Sequence, residues 1–445
     1  METEARWTAD QVLALAPDAA SRKAGARLAT PAPWSGTGAA GTAVFGLCEG
    51  SGSKPYQTAV DVDGPAFRCT CPSRKFPCKH ALGLLLLWAE GEAGPVGAAA
   101  QPDWVEQWTS ARRKKEQDAR VAPPRAAGPA DAEAAKRRAD RRAVRVEGGA
   151  AELEQRLTDL LRGGLAGADR GSYQQWDEIA ARMVDAQAPG LASRVRELGS
   201  LAVGGGDWPS RMLEETALLH LLARGFLGRE GLPAALAETV RTRIGFTVDS
   251  AELLEGPTLR GQWLILAQYD AADERLTTRR IWLHDARSGR FALLLSFGAA
   301  GRAPELTLPA GFLLDAELAY HPSALPLRAA LGPHQLLSAH PDTAPAGTAV
   351  AAALASYGTA LADDPWLDAW PVLLSDVVPI PGRDRWQLAD ASTEDALPIA
   401  TASPSLWRLA AISGGHPTTV FGELSPAGMR PLAAWPSGEA EPISL

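Results

Sequence analysis

Cysteine is scarce in this sequence. Of 445 residues only four are cysteines, at positions 48, 69, 71 and 78. A disulfide scaffold would use more and would not crowd three of them into ten residues, so a secreted, cross-linked domain is excluded. Long apolar runs are missing too: the longest, Ala81–Ala89, falls short of the ~18 residues that cross a bilayer. The opening Met1-Glu2-Thr3-Glu4-Ala5-Arg6-Trp7 has no basic stretch with an apolar core behind it. No secretory signal is read there, and a soluble, cytoplasmic protein without a membrane partner is expected. Walker A, GxSxG and HExxH patterns are absent, as is any internal repeat. No catalytic constellation or small-molecule substrate can be named without them, and a non-enzymatic protein is expected.

What is present is an ordinary globular composition, 46% hydrophobic and 22% charged. Over this length it argues for several domains rather than for disorder. The net charge of −8 argues against a protein that coats nucleic acid along its whole length. That charge is uneven: residues 1–145 hold 21 Lys and Arg against 16 Asp and Glu, whereas residues 146–445 hold 23 against 36. Any surface for a polyanion is therefore expected in the first third.

Residues 1–30 read as an amphipathic helix with Thr8 as its cap. Strand-like runs follow at Ala43–Leu47 and Tyr56–Val62, the second placing Tyr56, Thr58, Val60 and Val62 on one face. Asp63-Gly64 marks a turn, Ala66–Cys71 a returning strand and Lys79–Glu90 a helix. Gly91–Pro102 reads as a linker. Asp103 opens a helix to about Arg120 whose Trp104/Trp108 pair reads as a packing anchor, and Pro123-Pro124 breaks it. A second charged helix, from about Asp131, carries Lys136, Arg137, Arg138, Arg141, Arg142 and Arg145. Its basic face is either a solvated face or an arm for phosphates. Helices are expected from Leu153, Leu157, Leu160 and Leu161 onward, at Trp176–Ala188, Ala192–Leu198 and Pro209–Arg224, with His220 in a core role. Strands are expected at Gln262–Tyr269, Arg279–His284 and Phe291–Phe297, with a hairpin loop at Asp285–Gly289. Further strands are expected near 371–379 and 405–424, with an Ala-rich helix near 348–361.

The expected fold class is therefore a multidomain α+β protein. A small metal-stapled ββα module with an N-terminal helix takes 1–95, and a linker with a basic helical segment takes 96–150. A helical region takes 151–245 and a strand-rich α+β domain 246–445.

Chemistry concentrates in one stretch, Cys69-Thr70-Cys71-Pro72-Ser73-Arg74-Lys75-Phe76-Pro77-Cys78-Lys79-His80. Residues i and i+2 of a strand point the same way, so Cys69 and Cys71 can present both sulfurs to one point. The intervening loop returns Cys78 and His80 to that point at the start of the next helix. Three thiolates and an imidazole form a closed tetrahedral set for structural Zn²⁺ and leave no open position for a substrate. Cys-x-x-Cys, the redox spacing, is absent. Cys48 reads as a small buried hydrophobe rather than a ligand.

This stretch resembles the SWIM-type zinc finger of bacterial proteins: Cys-x-Cys, a variable loop, then Cys-x-His. Gly46 and Tyr56 ahead of the pair, Cys71-Pro72, Cys78-Lys79-His80 and the apolar helix that follows also fit, over roughly residues 40–90. The resemblance implies a zinc module that binds DNA or protein. Arg68, Arg74, Lys75 and Lys79 surround the ligands; they either balance the −1 charge of a Zn²⁺ with three thiolates or contact phosphates as well. The helix Leu82–Trp88 is apolar almost all round, which suits a buried or partner-facing helix and not one that reads a DNA groove. A protein-binding adaptor is the first expectation, and nucleic-acid binding through the basic loop and basic linker is the second.

Overall fold

The computed structural model describes residues 6–17, 19–50, 54–63, 65–73, 75–91, 94–121, 129–164, 173–201, 208–272, 276–299, 304, 306–337, 341–383, 385–400 and 405–445. The chain is an α+β protein, with a metal module, a helical bundle and a strand-rich C-terminal half in that order.

Thr8 caps the first helix as expected: its Oγ1 accepts from Gln11 N at 3.3 Å, and Gln11 Oε1 accepts from Thr8 N at 2.7 Å. Pro17 cannot continue a helix, so the expected single helix is two, α1 (Ala9–Ala14) and α2 (Ala19–Arg27). Four antiparallel strands follow in chain order, β1 (Trp34–Ala40), β2 (Ala43–Cys48), β3 (Tyr56–Asp61) and β4 (Ala66–Cys69). The expected ββα unit is thus the second half of a four-stranded sheet. Alternation gives both faces of this sheet a partner. Val44 and Val60 point to α3 (Lys79–Ala89), while Ala43, Phe45 and Ala59 meet Val105, Trp104 and Trp108 of α4 (Asp103–Val121). The tryptophan pair is the packing anchor that its spacing suggested.

Of the two readings of helix α3, buried or partner-facing, the buried one holds. Every residue from His80 to Trp88 is buried. Helices α1 and α2 and strands β2 to β4 cover it, and Trp7 stands edge-on to Trp88 with ring centroids 6.3 Å apart. Nothing of Leu84–Trp88 remains for a partner, because the chain itself supplies the apolar cover.

The bundle holds α5 (Pro129–Gly163), α6 (Tyr173–Asp185), α7 (Pro189–Leu201), α8 (Trp208–Leu227) and α9 (Ala234–Ile244) around Leu153, Leu157, Met183, Leu191, Val195, Leu219 and Phe226. Helix α5 runs straight through residue 150, so the expected boundary there falls inside an element. Gly148-Gly149 does not break it: a Cβ on Gly149 would stand 2.5 Å from Ala186 Cβ, so this glycine marks a close approach to the next turn of chain.

After α10 (Ser250–Glu255), the strand-rich half is two bodies rather than one. Strands β5 (Leu259–Ala272), β6 (Leu276–Asp285), β7 (Arg290–Ala299), β8 (Leu313–Tyr320) and β9 (Arg328–Leu336) close into a barrel in the order β5-β6-β7-β9-β8, with β7 and β9 parallel. This is a five-stranded Greek-key barrel. The last body contains α11 (Val350–Asp363), β10 (Trp370–Ile380), β11 (Gln387–Asp390), β12 (Ala396–Pro398), α12 (Ser405–Ser413), β13 (Thr418–Ser425), β14 (Gly428–Trp435) and β15 (Ile443–Ser444). Its six strands run β12-β11-β10-β13-β14-β15. The strand expected over 405–424 is half helix, because Leu406, Leu409 and Ser413 bury one helical face before Gly414-Gly415 ends it. Phe421, Leu373, Leu432 and Trp435 pack on Leu264, Leu266, Trp282 and Leu293 of the barrel, joining the two bodies. No helix among the described residues is long and apolar enough to cross a membrane.

Candidate metal centre

The end of β4 carries Cys69, and Cys71 follows two residues on, just past the strand. Cys78 occupies the N-cap position of α3 and His80 its first turn. Burial of α3 against the sheet thus brings the two halves of the ligand set face to face. The donor atoms of Cys69, Cys71, Cys78 and His80 all lie within 4.8 Å of one another. His80 Nδ1 stands 3.7 Å from Cys69 Sγ and 4.0 Å from Cys78 Sγ. Ligands ~2.0–2.3 Å from one ion in a tetrahedron are roughly 3.5–3.8 Å apart, so the set fits a first-row divalent metal with little adjustment.

Neighbouring groups prepare these donors. Thr58 pairs with Cys69 across β3 and β4, and its Oγ1 lies 3.3 Å from Cys69 Sγ. Tyr56 at the head of β3 packs its ring on His80, centroids 4.9 Å apart. The Cys78 thiol donates to Cys69 and holds it down to about 4, with His80 and Thr58 adding to the effect against burial. The same contact, with burial, pushes Cys78 well up, and burial pushes Cys71 up. A divalent ion takes its sulfur ligands as thiolates, so its binding must expel the thiol protons that remain.

Cys48 stays outside the cluster. It is fully buried, its thiol is pushed up to about 11 by burial, and its Sγ lies 3.6 Å from Glu49 O. Arg68 is already engaged: Nη1 donates to Trp104 O at 3.1 Å and the guanidinium lies 6.0 Å over the Trp104 ring, clipping α4 to β4. Lys75 and Lys79 are exposed. Arg74 lies outside the described residues. The basic face of α5 is divided. Arg142 donates to Gly245 O at 2.8 Å and Arg145 to Gln187 Oε1 at 3.0 Å, whereas Arg138 and Arg141 are exposed. His220 is satisfied between helices, with Nε2 3.1 Å from Glu154 and 3.2 Å from Thr158.

The last sheet covers part of the barrel face on which such barrels hold ligands. In five-stranded Greek-key barrels that platform is the second and third strands. Here those strands, β6 and β7, carry Trp282 and Phe291 against Phe421 of the last sheet.

Two cysteines on a strand end and a cysteine and histidine on a helix start define a zinc-finger type of metal site. Residues 60–89 match the family model of the SWIM zinc finger, and residues 141–244 match that of the SWIM-associated four-helix bundle domain. The chain therefore carries a SWIM-type finger together with the helical domain that accompanies it, and the Cys-x-Cys…Cys-x-His pattern is complete. No curated protein and no solved structure matches the chain. Sequence reasoning missed the Thr58–Cys69 contact and the packing of the Tyr56 ring on His80. Thr58 carries a weak signal in its place on the inward face of β3, but the register that sets it against Cys69 is a property of the sheet.

Proposed function

We propose that this is a cytoplasmic, non-enzymatic interaction protein whose SWIM-type module holds one Zn²⁺ as a structural staple and serves as a protein-binding adaptor. The observation that supports this is the closed donor set: three sulfurs and one imidazole converge and leave no position for a substrate. When bound, Zn²⁺ would supply cross-linking between β4 and α3 rather than catalysis. Cys69, Cys71, Cys78 and His80 hold it, Thr58 orients Cys69, and α3 stays pinned in the core that reaches the barrel. Because α3 is spent on that core, partners would meet the module at its exposed loop, beside Lys75 and Lys79.

A nucleic-acid reading rests on a different observation, the exposed Arg138 and Arg141 on the free half of α5. Arg68 adds little to it, being turned to α4. Metal analysis of the purified full chain is expected to give one zinc per chain, unchanged in Cys48→Ala and lost in Cys78→Ser. Well under one zinc in the parent would sink the reading. Retention on duplex DNA at physiological salt that disappears when Arg138 and Arg141 become glutamine would favour nucleic acid over a protein partner.

A further inference from the structure

Strands β8 and β9 pair as far as Tyr320 against Ala329, and one step further His321 N donates to Arg328 O at 2.9 Å. Leu318 and Tyr320 face the barrel core, as do Ala329 and Leu331 across from them. Alternation therefore places Ala319 and His321, with Ala330 and Arg328 opposite, on the outer face. Directly opposed residues have Cβ atoms ~4.5–5.5 Å apart, so the His321 imidazole and the Arg328 guanidinium are neighbours on one side of the ladder. The bundle side of the molecule covers this face. Helix α10 packs on β8 and β9, and a Cβ on Gly332 would stand 3.1 Å from Leu254 Cδ2. Ala324 N in the connecting loop donates to Thr239 Oγ1 of α9 at 2.8 Å. Under that cover Ala319, Ala330 and His321 are buried and Arg328 is half-buried.

The pair has no counter-ion. Among the described residues nothing forms an ion pair, a side-chain hydrogen bond or a ring contact with the Arg328 guanidinium or the His321 imidazole. Arg243 and Arg279, also withdrawn from water, do have partners, in Asp364 with Asp368 and in Asp270. The carboxylates nearest along β8 and α10 are used or turned to solvent: Glu317 pairs with Arg260 at 3.5 Å, and Glu252 and Glu255 are exposed. The charge balance agrees with this geometry. Burial alone pushes the Arg328 guanidinium down, and burial with the Arg328 charge pushes His321 down, where a nearby carboxylate would act the other way. A charge withdrawn from water without a partner is costly, and an anion between the two side chains would answer both.

We propose that His321 and Arg328 form a seat for a small phosphate group, free or carried by a phosphomonoester, at the junction of barrel and bundle. The guanidinium fork offers parallel N–H donors to two phosphate oxygens, and the imidazole N–H reaches a third. The cover of α9 and α10 suits a small anion and not a polymer backbone. The seat uses neither the metal loop nor the basic half of α5, and stands apart from the adaptor reading.

The test uses the full zinc-loaded chain with its histidine rings labelled for NMR. Inorganic phosphate and glycerol 3-phosphate are titrated separately, with sodium chloride holding the ionic strength constant. The His321 ring signals should move saturably with both, while those of His284 stay in place. Arg328→Met keeps the apolar stem and loses the fork, and should weaken binding at least about tenfold. Phosphate should also raise the melting temperature of the parent, and His321→Phe should abolish that rise. This second variant carries the test should Arg328→Met fail to fold. Arg287→Gln, on the exposed turn between β6 and β7, should leave the affinity unchanged. Tighter binding of glycerol 3-phosphate would assign the seat to a phosphomonoester, and tighter binding of inorganic phosphate to the free ion. No saturable shift up to about 10 mM phosphate, tenfold above a millimolar Kd, would overturn the proposal. So would equal binding by the parent and Arg328→Met, or the same shift from sodium chloride alone.

Discussion

His321, just past β8, is 7% exposed, and burial with the nearby Arg328 charge pushes its imidazole down to about 4. An unfolded histidine titrates near ~6.5, so between those values the unfolded chain binds a proton that the folded chain does not. The sign follows: the contribution is complete above the unfolded value and is lost as pH falls toward the folded one. Stability should therefore drop between about pH 6.5 and 4, by up to about 3 kcal/mol for this group. Metal binding weakens in acid as well, because protons compete with the ion for its donors, so the measurement is a difference. Melting of the parent and of His321→Gln, compared at each pH, should converge as pH falls, and parallel curves would refute the assignment. At this same scale the metal ligands were legible in the sequence and Thr58 was not. Strand alternation and helix start place Cys69, Cys71, Cys78 and His80 from local spacing alone, whereas Thr58 meets Cys69 only through pairing between strands.

Elements were legible where one apolar period ran unbroken. Strands β5 to β7 and the bundle helices are such cases, whereas α12 was misread because short apolar runs fit either period until packing chooses a face. Helix α3 shows the limit from the other side: its all-round apolarity foretold burial, but only the three-dimensional structure shows that α1, α2 and Trp7 provide it. Helix α5 makes the local rule and the packing rule compete at neighbouring positions. Gly148 has nothing within 4 Å of an added Cβ, so Gly148→Ala should gain about 0.5–1 kcal/mol from helix propensity. Gly149 meets Ala186 Cβ at 2.5 Å, so Gly149→Ala should force the α5–α6 approach apart and cost about 1–3 kcal/mol. Denaturant midpoints of the two variants should move in opposite directions. Equal shifts would mean that the approach is loose.

The whole molecule is tied together by buried polar anchors set into apolar contacts. Trp366, 4% exposed, inserts into the bundle core, where its Nε1 donates to Leu218 O at 2.8 Å. Arg243 reaches Asp364 at 2.9 Å and Asp368 at 2.7 Å, so the segment before β10 is bound to the bundle twice. Between barrel and last sheet the anchor is Glu423, 5% exposed. It accepts from Tyr269 Oη at 2.8 and 2.7 Å and from Trp282 Nε1 at 2.8 Å, and pairs with Arg280 at 3.5 Å and Arg430 at 3.9 Å. Four donors from both bodies converge on one carboxylate, and burial together with that carboxylate raises the Tyr269 phenol. None of this was legible in the sequence, where Glu423 is one acid among many in an acidic half. Removing it leaves a buried hydroxyl, an indole N–H and two guanidiniums without their acceptor, a destabilisation of about 3–5 kcal/mol by analogy with other broken buried pairs. Glu423→Ala should therefore lower the melting temperature strongly and let the barrel and the sheet unfold in separate steps. Glu423→Gln keeps one acceptor oxygen for Tyr269 or Trp282 and should cost less. Calorimetry showing one undisturbed transition in Glu423→Ala would mean that the apolar contacts of Phe421 and Trp435 hold the two bodies without the clamp.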